Sequence, residues 1–128
     1  MQNQYVQYIV LRRNLINQYG VGFLVTQTAH ASLAPITNKI RNRRSSSIDD
    51  ILDNDTLNWI EGTFTKIVLE VPDETSLNKL KESLNKDGIE FSEIRESSIG
   101  GELTSIGLRP YKKSEVYKYF RGLRLLKW

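Results

Sequence analysis

The only histidine of the chain, His30, lies in the stretch VTQTAHAS (25–32), three residues after Gln27. On a helix, positions i and i+3 share a face, so this imidazole and carboxamide can meet one reacting group. They can equally satisfy each other or a neighbouring carbonyl. With a carboxylate to orient it, an imidazole serves as general base toward water. The chain has no cysteine, which excludes thiol nucleophiles, disulfides and thiolate metal sites. A single histidine leaves metal chemistry to carboxylates. The acidic run DDILDND (49–55) lacks the glycine and terminal glutamate of a calcium loop, so it reads as solvated surface and no metal is expected. GxxxxGK[ST] and GxSxG are absent. Gly20-Val21-Gly22 has neither the third glycine nor the acidic residue of a dinucleotide fingerprint.

The elements that must position these residues follow from hydrophobic period and turn chemistry. A chain of 128 residues suits one domain, taken as 1–128, and no apolar run approaches the ~18 residues of a membrane span. The N-terminal residues carry no leader pattern, so a cytoplasmic protein is the expectation. YVQYIVL (5–11) reads as a central strand, and LRRNLINQYG after it as a loop. A first helix follows from Gly20 to about Lys39, with Pro35 expected to kink or end it early. A second helical stretch begins near Ile48, with Ser47 and Asp50 as its capping pair. KIVLEV is a strand, Asp73 an N-cap, and Leu77, Leu80 and Leu84 one helical face that stops at Gly88. IEFSEI and TSIGLRP are further strands, and SEVYKYFRGL a last helix. The sum is an α/β domain: a mixed four-stranded sheet flanked by about four helices, with one βαβ crossover at 66–95.

Charge is unevenly spread. Arg109 to Trp128 holds seven Lys/Arg against the single Glu115, a segment suited to a polyanion. Tyr111, between Arg109 and Lys112, is the aromatic expected to stack on a base. Tyr5, Tyr8, Trp59, Phe64, Phe91 and Phe120 are expected in the core, and Trp128 at a dimer contact or a frayed end.

YIVLRRNL, then Gly20-Val21-Gly22, QTAHAS, KIVLEVPDETSL and SIGLRP, in this order and spacing, resemble the archaeal and eukaryotic class of peptidyl-tRNA hydrolases. The LRPY at 108–111 and the VLExPDE at 68–74 resemble most its subgroup of peptidyl-tRNA hydrolase domain-containing proteins. The resemblance implies hydrolysis of the ester joining a peptide to the terminal ribose of tRNA, without a cofactor, commonly by a homodimer. It implies catalytic roles for Arg12, Gln27 and His30, with Glu96 as a partial substitute for a family aspartate. Nucleic-acid contacts are expected at Arg13, Gly20, Gly22, Arg109, Tyr111, Lys112 and Lys113. The family's GKGK is here Gly20-Val21-Gly22-Phe23, its RxDL acid is Asn14, and its DAGxT is the shorter RESSIGGEL. These departures carry an alternative: a catalytically impaired member that binds RNA or a protein partner.

Overall fold

A computed structural model describes residues 4–127; Trp128 lies outside them. Strand β1 (Tyr5–Arg12) is buried on both faces, as its unbroken run of branched and aromatic residues requires. It pairs in parallel with β2 (Thr65–Val71) and antiparallel with β4 (Glu102–Leu108), which pairs antiparallel with β3 (Phe91–Glu96). Two two-residue strands complete the sheet: β5 (Tyr111–Lys112) on β1, and β6 (Arg124–Leu125) on the outer side of β2. The sheet therefore has six strands in place of the expected four. The two extra ones are too short to carry any hydrophobic period.

Six helices are described where about four were expected. The stretch read as a loop after β1 contains a single turn of helix, α1 (Leu15–Tyr19), whose Leu15 and Ile16 are buried. The stretch from Ile48 splits into α3 (Ile48–Ile51) and α4 (Asn54–Glu61). Ser47 makes no cap bond. Asp53 caps α4 instead, accepting the amide of Thr56 at 2.8 Å. Helix α5 (Glu74–Lys86) starts at the expected cap, Asp73, which accepts the Ser76 amide, and α6 is Lys113–Phe120. The expected crossover is present as β2–α5–β3, but it spans β4 and β1 and does not join neighbouring strands.

Helix α2 (Val21–Arg41) continues past Pro35 to Arg41, contrary to the expected early end. Proline removes the donor that the carbonyl of Ala31 would otherwise receive. That carbonyl lies directly over Gly107 of β4: a Cβ at Gly107 would collide with the Ala31 oxygen and stand 2.6 Å from its carbon. The helix and the strand touch backbone to backbone, and the defect in the helix falls at the contact.

Side chains alternate across the sheet. Val6, Tyr8 and Val10 face α5 and α6 with Leu77, Leu84, Val116 and Phe120, while Ile9 and Leu11 face α1 and α2 with Leu15, Leu24 and Ala31. Burying each such side chain contributes roughly 1.5–3 kcal/mol. Gln7 is the one polar interruption of β1's inner positions; it is satisfied by donating to Ser32 and Leu108 carbonyls and accepting from the Ser32 hydroxyl. No described helix is long and apolar enough to cross a membrane.

Candidate active site

The parallel strands β1 and β2 end at Arg12 and Val71, and β3 ends on the same edge at Glu96. In open α/β sheets this carboxyl edge is where ligands bind. Over it passes the first half of α2, carrying Gln27 inward and His30 at the rim. Gln27 is fully buried; His30 is half-exposed.

Four side chains join into a single chain of contacts. The Thr104 hydroxyl donates to Gln27 Oε1 at 2.6 Å, and Gln27 Nε2 donates to Glu96 Oε1 at 2.8 Å. His30 Nε2 stands 3.9 Å from the same oxygen. The second carboxylate oxygen accepts the Ser98 amide at 3.1 Å. The amide of Gln27 has only one good orientation, because its oxygen turned toward an ionised Glu96 would be repelled. The bond from Gln27, the Ser98 amide and hydroxyl, and nearby His30 hold the Glu96 carboxyl below the usual range, against a weaker opposing effect of burial.

A kink in the sheet makes this possible. Ile94 pairs with Ser105 and Arg95 with Leu103, so Thr104 is the extra residue of a β-bulge. The bulge turns both Thr104 and Ser105 inward, where their hydroxyls lie 3.4 Å apart. Thr104 and the Ser98 amide were not anticipated from the sequence. The available signal was two adjacent polar residues in a strand otherwise apolar, which strict alternation cannot bury together. Since Glu96 is ionised more readily in the folded protein, its stabilising bonds persist above the ordinary glutamate pKa and are lost as pH falls through the lowered one. A carboxyl titration by NMR is expected to place Glu96 below an ordinary glutamate, and Gln27→Ala to move it back up.

Arg12 does not reach this chain. Its guanidinium is buried; Nη1 donates to Glu102 at 2.7 Å, to the Leu103 carbonyl at 2.8 Å and to Glu74 at 3.2 Å, while Nε donates to Asn14. The structure places Arg12, expected in the catalytic set, beside Glu102, which is the ladder partner of Glu96. Arg13 lies 4.0 Å from buried Glu70 and donates to the Lys127 carbonyl. Gly20 and Gly22 stand in open space at the start of α2, with nothing within 4 Å of where a Cβ would be.

The expected phosphate grip in the C-terminal segment divides. Arg109 is paired with Glu90 at 2.8 Å, Asp55 at 3.1 Å and Asp53 at 3.5 Å, and covers the Tyr111 ring at 3.6 Å. Tyr111 is 5% exposed, and its hydroxyl accepts the Glu90 amide. A buried ring under a paired guanidinium offers no face to a base, contrary to the stacking expected of Tyr111. The physical reason is the pairing of Tyr111 with Val6, which folds the ring into the core. Lys112 pairs with Tyr5, at the opposite end of β1 from Arg12, and Lys113 follows it. Phe64 shows the reverse error: expected in the core, it is half-exposed with φ 58°, lying against Trp59. A concavity of about 890 Å³ lies at the far end of α2, between Lys39, Arg43, Asp50 and Phe91. It contains none of the Gln27, His30 or Glu96 side chains.

The fold and the hydrogen-bonded chain define an α/β protein with a cluster of polar side chains, Thr104, Gln27, Glu96 and His30, at the carboxyl edge of its sheet. The family model for peptidyl-tRNA hydrolase PTH2 matches residues 5–126, and the chain belongs to that family. The human protein named "Putative peptidyl-tRNA hydrolase PTRHD1" is 34% identical over 126 residues, which are 95% of this chain and 82% of the relative. A peptidyl-tRNA hydrolase of Methanococcus vannielii is 29% identical, covering 95% of this chain and 99% of its own. Among solved structures, Atu0240 of Agrobacterium tumefaciens, a protein of unknown function, superimposes with a TM-score of 0.58 at 12% identity over 99% of this chain and 100% of its own. That likeness concerns the fold alone.

Proposed function

We propose that this protein hydrolyses the ester between a peptidyl or N-blocked aminoacyl group and the terminal ribose of tRNA, with His30 as general base and Glu96 as its orienting carboxylate. The observation that carries the proposal is the Glu96 carboxylate, fixed on both oxygens and set 3.9 Å from His30 Nε2. A small rotation of the half-exposed imidazole closes that gap. Glu96 then holds the Nε2 proton, and Nδ1 takes a proton from the water that attacks the ester carbonyl. The same proton passes to the ribose oxygen as the ester bond breaks. Gln27 keeps the carboxylate in place, and Thr104 keeps Gln27.

In this reading Phe23 occupies the position of the family lysine, so the charge that the family sets near the reaction is missing from this helix. Arg12 and Arg13 are both bound to carboxylates and do not replace it freely. Turnover is therefore expected to be slow relative to a lysine-bearing member; loss of one donor to the oxyanion typically lowers the rate about a hundred- to a thousand-fold.

The test is incubation of N-acetyl-aminoacyl-tRNA with the protein, followed by separation of products. Release of the N-acetyl amino acid with tRNA intact at its 3′ end is the expected result. Retention of tRNA with no ester loss above the uncatalysed rate would replace the hydrolase with an RNA-binding module.

A further inference from the structure

We propose that Tyr19 and Phe23 form a stacking platform for the base at the 3′ end of the tRNA, bordered by Arg13 and Arg124 for its phosphates. The proposal rests on the reading of this site as one that acts on tRNA.

The two rings lie with centroids 4.8 Å apart at 32°, at the junction of α1 and α2. Phe23 is half-buried against Leu11, Leu15 and Leu24, which hold it in place, and Tyr19 is 37% exposed. Its hydroxyl has no hydrogen-bond partner among the described residues. The glycines on either side of Val21 leave open space beside the pair.

Position links the rings to the chemistry. Phe23, Gln27 and His30 are at i, i+4 and i+7 on α2, so Gln27 lies about 6 Å and His30 about 10 Å further along the axis. One nucleoside covers a separation of that order. A base on the rings thus leaves the ribose ester in the direction of Glu96 and His30.

The border of the platform selects a nucleotide over an apolar peptide side chain. Leu126 belongs to the same apolar cluster as Phe23, and its amide donates to the Val68 carbonyl at 2.9 Å. This fastens the C-terminal segment next to the rings. Glu70, 6% exposed, accepts from Arg124 Nη2 at 3.2 Å and the Lys127 amide at 3.1 Å, with Arg13 Nε 4.0 Å away. Two guanidinium groups, Arg13 and Arg124, around one carboxylate leave a net positive rim. A peptide side chain would leave that charge unmatched; a nucleotide brings both a π-face and phosphates.

The probe is a short single-stranded RNA with 2-aminopurine as its 3′-terminal base, whose fluorescence falls on stacking. Wild-type protein is expected to quench it. Phe23→Leu and Tyr19→Leu keep apolar packing, and with melting temperatures near wild type they are expected to abolish quenching and weaken binding about 5- to 100-fold. Tyr19→Phe is expected to retain both. Arg124→Gln is expected to lower the salt slope of binding by about one unit. Unchanged quenching and affinity in the two folded leucine variants would overturn the platform. Leucine variants that bind RNA normally yet lose hydrolysis would assign the rings to the peptide, again overturning it. Wild-type protein that fails to bind the RNA at low salt would overturn both the platform and the tRNA reading. Stacking without any ester hydrolysis would leave the platform standing and remove only the hydrolase.

Discussion

Glu96→Gln is expected to slow ester loss by about 100-fold or more, within the roughly 10²–10⁴ range of general acid–base contributions. The substitution keeps the size of the side chain, and the Ser98 amide can still donate to its oxygen. It removes the charge that Gln27 and Ser98 hold toward His30. His30→Ala is expected to fall in the same range. Because the two side chains act as one unit, the double variant is expected to be little slower than the worse single one. Effects that multiply instead would mean the two act separately, and the contact at the rim would have no catalytic meaning. Fold stability is a separate readout: the half-exposed His30 is expected to move the melting temperature little, whereas Gln27→Leu removes the 2.6 Å acceptor of the buried Thr104 hydroxyl, leaving it the longer bond to the Ile94 carbonyl at 3.3 Å, and is expected to destabilise by about 1 kcal/mol.

Gly107→Ala is expected to destabilise the protein by about 3 kcal/mol, the upper end of ordinary overpacking. The added methyl group meets backbone, the Ala31 carbonyl, and no flexible side chain can yield. Relief requires α2 to lift from β4, which would also draw Gln27 away from Thr104 and Glu96. Activity should therefore decline in parallel with stability. Gly22→Ala provides the contrast. Gly22 is helical and open, so the alanine is expected to stabilise by about 0.5 kcal/mol through helix propensity alone. Denaturant unfolding of the two variants separates a glycine required by close approach from one that is not. Equal stabilities would contradict the backbone contact.

The same contact marks a limit of what the sequence made legible. The hydrophobic periods of β1, β2 and α5 located the frame on which the site is built, whereas the contact of Gly107 with the Ala31 carbonyl emerges only from the fold. Pro35 misled because its local penalty falls where the helix meets the sheet, and burial of Pro35 and Ala31 outweighs it. His30 and Gln27 were recognisable from family spacing, Glu96 only as a partial substitute in a stretch that departs from the family, and the fold brings all three together. Thr104 was not, since a bulge changes which way a residue faces without changing the pattern of residue types. Arg109 and Tyr111 show the opposite limit. Adjacent basic and aromatic residues look alike whether they face a ligand or one another, and only the pairing of Tyr111 with Val6 buries the ring.

The most direct measurement is the single-turnover rate of ester loss from N-acetyl-aminoacyl-tRNA, for wild-type protein, His30→Ala and buffer alone. The account predicts wild type well above buffer and His30→Ala reduced by about 100-fold or more, toward the uncatalysed rate. Equal rates for wild type and His30→Ala, both above buffer, would contradict it.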